Sequence, residues 1–110
     1  MFLNSITHGE IKIEESIQLI KGFLEEKSEA EYSLVIGTDS HEKASNGSSK
    51  TISLVTAVLV HRKGFGGKYF WRRKDMSNIH SLREKIYAET LESLNFALFF
   101  IPMLRKVLNG

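Results

Sequence analysis

The chain contains no cysteine among its 110 residues. Disulfide bonds and thiolate metal sites are therefore excluded, and any metal ligand must offer oxygen or imidazole nitrogen. Proline is nearly absent too, since Pro102 is the only one, and it interrupts the longest nearly apolar run, Leu94–Leu104. That run is too short to cross a bilayer, and the amino terminus lacks the basic start and long apolar stretch of a signal peptide. These features predict a cytoplasmic protein without membrane association.

The formal net charge is also small, at +2. The charges are unevenly placed: residues 1–60 hold five lysines against nine acids, whereas residues 61–85 hold eight lysines and arginines against two acids. This asymmetry points weakly to a polyanionic partner. Hydrophobic residues make up 42% of the chain and charged residues 25%. That balance and the length suit one globular domain, assigned to residues 1–110.

Hydrophobic spacing predicts an α/β fold. In chain order the expected elements are an irregular lead-in at Phe2–Ile11, a helix at Ile13–Lys27, strands at Glu31–Thr38, Thr51–Arg62 and Tyr69–Arg73, and a long helix at about Ser81–Phe100. The segment Glu42–Lys50 is polar and contains Asn46-Gly47, which predicts a turn. Short connections between the three strands favour an antiparallel meander. Because both faces of Thr51–Arg62 are apolar, helices are expected on both sides of the sheet.

One acid stands where the first strand should leave the core. Asp39 follows an apolar run, Tyr32–Ile36, and then Gly37 and Thr38. A carboxylate at the end of a central strand is held rigidly and suits a divalent metal. Ordinary turn chemistry is the alternative, because Asp-Ser-His before charged and small residues commonly starts a turn. His41 is the best placed histidine for ligation, although polar surface is its commoner role.

A second acid, Glu89, falls within the face of the long helix that should cover the sheet. Winding the helix at 100° per residue puts Glu84 on the opposite side and Glu92 at the margin. An unpaired buried carboxylate costs several kcal/mol, so Glu89 needs a metal or a cationic partner. A salt bridge or a local packing gap is the alternative. The predicted buried arc consists of Leu82, Ile86, Thr90, Ser93, Phe96, Ala97 and Phe100.

The order strand–strand–strand–helix, with an acid on the first strand and another on the helix, resembles the first half of a ribonuclease H-like fold. Specific stretches strengthen the likeness: Ile36–Ser40 (IGTDS), Thr56–Gly64 (TAVLVHRKG), Gly67–Arg73 (GKYFWRR) and Ser81–Thr90 (SLREKIYAET). On these stretches, which together with the amino-terminal helix cover nearly all of the chain, it resembles the YkuK family of uncharacterised RNase H-like proteins.

The resemblance implies nucleic-acid phosphodiester hydrolysis by two Mg²⁺ or Mn²⁺ ions about 4 Å apart. By position, Asp39 and Glu89 match the catalytic metal ligands of the first strand and the helix. The chain departs from the family pattern because no acid follows Glu92 and the C-terminal strands of the fold are missing. The resemblance therefore implies an incomplete active site, and this chain alone is expected to be inactive. The family pattern also has glutamine at the position of His41.

The basic stretch near the third strand is the candidate nucleic-acid surface. Tyr69, Phe70 and Trp71 lie within it and could stack on bases. In the alternative, these aromatics belong to the core and the cations are plain solvated surface. A non-catalytic nucleic-acid-binding or oligomeric assembly module is the second functional hypothesis, and a structural interaction protein is the third. The candidate contacts are Arg62, Lys63, Lys68, Arg72, Arg73 and Lys74.

Self-association is predicted as well. Without a fourth strand beside it, Glu31–Thr38 becomes an exposed edge, and such edges recruit other chains. Part of the long helix also lies off its predicted buried arc and would form a large apolar patch. We therefore expect a homodimer or larger homo-oligomer that uses the helix, the strand edge or both. The patch residues are Tyr87, Leu91, Leu94, Leu98 and Phe99.

Overall fold

Seven elements follow one another in the computed structural model. The model describes residues 1–47 and 49–109, except for the side chain of Asn46. The five strands form one antiparallel sheet in the order β2-β1-β5-β4-β3. The predicted three-stranded meander is thus present as β3–β5, within a larger sheet. The elements are β1 (Phe2–Ser5), β2 (Gly9–Lys12), α1 (Ile13–Glu26), β3 (Tyr32–Asn46), β4 (Ser49–Arg62), β5 (Gly67–Ile79) and α2 (Leu82–Asn109).

The amino-terminal segment is a β-hairpin, so the predicted irregular lead-in is wrong. β1 and β2 pair with Leu3 opposite Ile11, and both side chains are buried in the core. Gly9 begins β2 with φ 69°, a conformation that glycine adopts without steric cost. Single alternating apolar residues in two four-residue strands gave too weak a pattern to predict this hairpin.

The hairpin of β3 and β4 extends through most of the segment predicted as a polar loop. β3 continues to Asn46, and the turn contains Gly47 at φ 63°; Ser48 of the predicted loop lies outside the described residues. Surface ion pairs accompany the extension, since Lys50 bonds Glu42 across the hairpin at 2.7 Å. Such cross-strand pairs stabilise a polar ladder that composition alone assigns to a loop. Asp39 therefore lies in the middle of β3, not at its end.

Both helices pack on the same face of the sheet, so the expectation of helices on both faces is wrong. The main core joins Ile17 and Ile20 of α1 with Phe100 of α2 over Val58 and Phe70 of the strands. The opposite face carries the half-buried aliphatic residues of β4, which explains why the sequence of this strand is apolar on both sides. The fold is therefore a two-layer α/β domain with one open sheet face.

Helix α2 faces the sheet through a stripe that differs from the predicted arc. Leu82, Ile86 and Thr90 are exposed, because β3 is the edge strand and nothing described lies beyond it. The helix also continues past Pro102 to Asn109, since Leu104 is still buried in the core. Ser81 caps its start, with Ser81 Oγ accepting from the Glu84 amide at 3.2 Å. The buried stripe is Ala88, Glu92, Phe96, Phe100 and Leu104.

The edge position predicted for the first strand of the meander is confirmed, because β3 pairs only with β4 among the described strands. No helix within residues 1–47 and 49–109 is long and apolar enough to cross a membrane.

Candidate functional site

Strand alternation divides the polar residues of the sheet between two faces. Directly paired residues share a face, so Gly37 of β3, Ala57 of β4 and Trp71 of β5 lie side by side. Their neighbours Thr38, Thr56 and Arg72 point the other way, towards α2. We call the side under the helices the covered face and the other side the open face.

Asp39 lies on the open face. It pairs with Val55 and lines the same shallow pocket as Val35 and His41, and its side chain is exposed. Its Oδ1 accepts a hydrogen bond from the amide of Ser40 at 2.9 Å. The carboxylate therefore satisfies a backbone donor on the outer edge of β3.

Glu89 lies on the covered face, as its helical phase predicted. Its Oε2 accepts a hydrogen bond from Ser40 Oγ at 2.5 Å. Ser40 is buried and Glu89 is half-buried, so the hydroxyl supplies a donor to a carboxylate that has lost part of its hydration. The partner of Glu89 is thus a serine hydroxyl, and neither a cation nor a metal is needed to satisfy that oxygen.

Asp39 and Glu89 consequently project from opposite faces of the sheet, and Ser40 lies between them, with its amide bonded to Asp39 and its hydroxyl bonded to Glu89. Their joint binding of one pair of metal ions stays a prediction. The physical reason for the opposite faces is the length of β3: because the strand continues past Asp39, alternation sends Asp39 and Ser40 to different sides. Within the described residues, no group of three or more histidine, aspartate or glutamate side chains could hold a metal ion. Asp39 and Glu89 without a third acidic or imidazole ligand do not complete a two-metal site for Mg²⁺ or Mn²⁺.

A chain of hydroxyl groups extends the polar contact between α2 and β3. Ser93 Oγ donates to Thr38 Oγ1 at 2.8 Å, and Thr38 Oγ1 lies 2.9 Å from Thr56 Oγ1 on β4. These groups lie between the two apolar clusters of the covered face. They fix the register of α2 along the sheet, because sliding the helix would leave buried hydroxyls without partners.

Glu92 is the buried acid that the sequence interpretation missed. Its side chain is only 8% exposed, and its carboxylate contacts Arg72 at 3.0 Å and Lys74 at 3.5 Å. The predicted position of Glu92 at the margin of the covered arc is wrong, because its side chain is buried. The signal was available in the spacing, since Ala88, Glu92 and Phe96 lie four residues apart on one helical stripe.

The six predicted nucleic-acid contacts do not form one surface. Arg62 is buried, and its guanidinium donates to the carbonyl of Phe65 at 3.0 and 3.2 Å and to that of Phe23 at 3.4 Å. It thereby holds the β4–β5 turn against α1. Arg72 and Lys74 form salt bridges with Glu92 on the covered face.

The other three predicted cations are divided as well. Lys68 lies on the covered side with its Nζ 5.8 Å from the centre of the Phe23 ring. Lys63 is an exposed turn residue near Glu31, at 3.6 Å. Arg73 alone of the six pairs with Val55 and so lies on the open face. Alternation along β5 therefore breaks up the basic run that looked continuous in the sequence.

The open face instead presents a pair of aromatic rings. Tyr69 and Trp71 lie with their ring centroids 5.4 Å apart and their planes at 30°. Phe70 between them is buried in the core, so the stacking and core interpretations of this stretch each apply to different residues. Small neighbours leave space beside the rings. A pocket of about 550 Å³ is lined by Val35, Gly37, Thr38, Asp39, His41, Val55, Ala57, Leu59 and Tyr69.

Fixed charge on this face is balanced locally. Lys43 Nζ lies 2.5 Å from Asp75 Oδ2, and this hydrogen bond holds the pKa of Asp75 below its ordinary value. On the same hairpin, the hydrogen bond from Lys50 lowers the pKa of Glu42. Lys43 is paired with Asp75, whereas Arg73, whose positive charge also lowers the pKa of Asp75, forms no salt bridge among the described residues.

The described residues thus form a two-layer α/β fold with one open sheet face, and they contain no group of three or more acidic or histidine side chains that could hold a metal ion. Comparison with family models identifies residues 15–109 as Ribonuclease H-like. The match spans most of the chain, which therefore belongs to the ribonuclease H-like family. The chain matches none of the curated proteins and none of the solved structures with which it was compared.

Proposed function

We propose that this chain binds nucleic acid with accessible bases, as a non-catalytic module, through the aromatic pair on the open face. The observation that carries the proposal is the neighbouring position of Tyr69 and Trp71 on a face that no described element covers. Aromatic side chains on a sheet surface stack on bases without regard to sequence. Family membership supports nucleic acid as the ligand, because RNase H-like proteins act on nucleic acid.

The surroundings of the pair suit a stacked base. Gly37 and Ala57 lie beside Trp71 across the strands and leave a floor without bulky side chains. Arg73 follows on the same face, two residues along β5, within reach of a phosphate of the same strand. Binding would thus combine stacking with one or two charge contacts.

Salt sensitivity should be modest for this reason. Six free cations would give a steep loss of affinity with salt, at a slope of roughly −0.7 per phosphate contact for a single strand. Here Arg62, Arg72 and Lys74 are already bonded within the protein. We expect a slope that corresponds to one or two contacts, smaller than the slope that six free cations would give.

The experiment is a fluorescence anisotropy titration of labelled single-stranded oligonucleotides, about 10 nucleotides long to match one binding site. Tyr69→Ala and Trp71→Ala should each weaken binding by roughly five-fold to a hundred-fold, because stacking contributes about 1–3 kcal/mol per base. Tyr87→Ala is the matched control, since Tyr87 is an exposed tyrosine on α2. Equal affinities for the wild type and both open-face variants would contradict the proposal.

Hydrolysis of phosphodiester bonds by Asp39 and Glu89 with Mg²⁺ or Mn²⁺ is the narrower proposal that the family raises. The two carboxylates point from opposite faces, so no hydrolytic step is derived for this chain. We expect no nuclease activity with either ion above that of an Asp39→Asn, Glu89→Gln double variant. Metal-dependent cleavage that both single variants abolish would reinstate the catalytic role. Membership of the YkuK group and a cytoplasmic location likewise stay predictions.

A further inference from the structure

We propose that two copies of this chain associate about a two-fold axis that runs perpendicular to the sheet, with β3 pairing with β3 and the two α2 helices lying side by side. The result would be a continuous sheet of ten strands, five from each copy. This inference does not depend on the proposed nucleic-acid binding.

The first argument is the edge of β3. Because Ser40 N–H bonds the Asp39 side chain, it does not point at β4, and the even-numbered residues of β3 direct their backbone groups outward. Leu34, Ile36 and Thr38 therefore offer donors and acceptors to another strand. The next outward donor, the amide of Ser40, is already bonded to the Asp39 carboxylate, so the stretch available for pairing ends at Thr38. An apolar edge of this kind pairs readily with another chain.

The second argument is the flank of α2 above that edge. Glu92 contacts Arg72 of β5, whereas Glu89 and Ser93 bond to side chains of β3. The side of α2 that follows Glu89 and Ser93 around the helix axis therefore lies beyond the edge of the sheet. The next positions round are Ile86 and Thr90, both exposed. They line an apolar groove of about 590 Å³ together with Leu82, Arg83, Tyr87, Leu91 and Leu94.

A single symmetry operation covers both surfaces. A two-fold axis perpendicular to the sheet keeps α2 on the same face in each copy, so pairing the strand edges turns the two helical flanks towards each other. Such an interface is isologous, the commonest kind in homodimers. A foreign strand could pair with β3, but it would leave the flank of α2 uncovered unless it brought a second apolar element with it.

Charge and hydrogen bonding favour one register, with the axis at Ile36. In that register Leu34 lies opposite Thr38 of the other copy, so the outward backbone groups of Leu34, Ile36 and Thr38 are all used. Glu31 then lies opposite His41, and no like charges meet. Shifting the axis to Val35 would set Glu31 opposite Asp39, a destabilising pair of carboxylates.

The absence of cysteine makes the register directly measurable. Ile36→Cys should form a disulfide-linked dimer under mild oxidation, because opposed residues in an antiparallel pair lie about 5.5 Å apart between Cα atoms, within disulfide range. Leu34→Cys is the matched control on the same strand and face. Its two copies would lie about 13 Å apart and should not cross-link. Cross-linking of Leu34→Cys in preference to Ile36→Cys would overturn the proposed register.

The helical flank is tested by the dissociation constant in analytical ultracentrifugation. Ile86→Lys should raise it at least about ten-fold, because it places a charge in the buried centre of the interface. Asn95→Lys is the control, since Asn95 is exposed on α2 and lies nine residues from Ile86, on the opposite side of the helix. Circular dichroism checks that both variants fold, and Leu82→Lys replaces Ile86→Lys if that variant does not. A wild-type monomer throughout the micromolar range, or weakening by Asn95→Lys alone, would overturn the proposal.

Discussion

The covered and open faces of the sheet are built from the same three long strands, but they satisfy their polar groups in different ways. On the covered face, Glu89 is bonded to Ser40, and Glu92 is bonded to Arg72 and Lys74. On the open face, Tyr69 and Trp71 pack against each other, and no described element covers them. The difference teaches that Glu89 and Glu92 hold α2 on the sheet, whereas the exposed aromatic side chains lie on the other face.

The largest expected effect tests the covered face as the hydrophobic core. Phe100→Ala should lower the free energy of unfolding by about 3–5 kcal/mol, because Phe100 is fully buried and its removal leaves a cavity. Phe99→Ala is the control from the same helix, and Phe99 is 46% exposed. It should cost less than about 1 kcal/mol. Urea unfolding followed by circular dichroism measures both, and equal losses would mean that α2 faces the sheet differently.

A smaller effect should follow the loss of the buried carboxylate. Glu92→Gln should destabilise the fold by about 2 kcal/mol, since it leaves Arg72 without its ion pair while Lys74 is half exposed and screened by water. Glu84→Gln is the control, because Glu84 is exposed and glutamine can still accept the hydrogen bond from the His80 amide. The same unfolding assay applies. A neutral Glu92→Gln would show that the ion pairs of the covered face contribute nothing net.

The smallest effect concerns the charge balance of the open face. Lys43→Met should raise the pKa of Asp75 towards its ordinary value, because the hydrogen bond from Lys43 is the main cause that lowers it. A lowered folded-state pKa contributes stability above the unfolded-state pKa, and that contribution is lost as the pH falls through the folded-state value. The variant should therefore lose less stability on acidification. Titration of the Asp75 carboxyl by NMR checks the shift, and an unchanged pKa would refute the pairing.

The sequence predicted the order of the main elements and the contact of Glu89 with the sheet from local periodicity. The edge position of β3 followed from the family resemblance, because no fourth strand is present to lie beside it. The sequence did not predict the length of β3, since cross-strand pairs such as Lys50 with Glu42 stabilise a segment whose polarity suggests a loop. The position of Asp39 in the middle of β3, and not at its end, is a consequence of that length. The phase of α2 was also misjudged, because which flank of a helix is covered depends on where the sheet ends, and periodicity carries no such information.

Intrinsic fluorescence tests the central claim most directly, because Trp71 is the only tryptophan of the chain. Stacking of a base on its indole should quench the emission in a saturable manner as a single-stranded oligonucleotide is added. The half-saturation point should equal the dissociation constant from anisotropy. Binding that anisotropy detects while Trp71 emission stays unchanged would contradict the account, because the nucleic acid would then lie away from the open face.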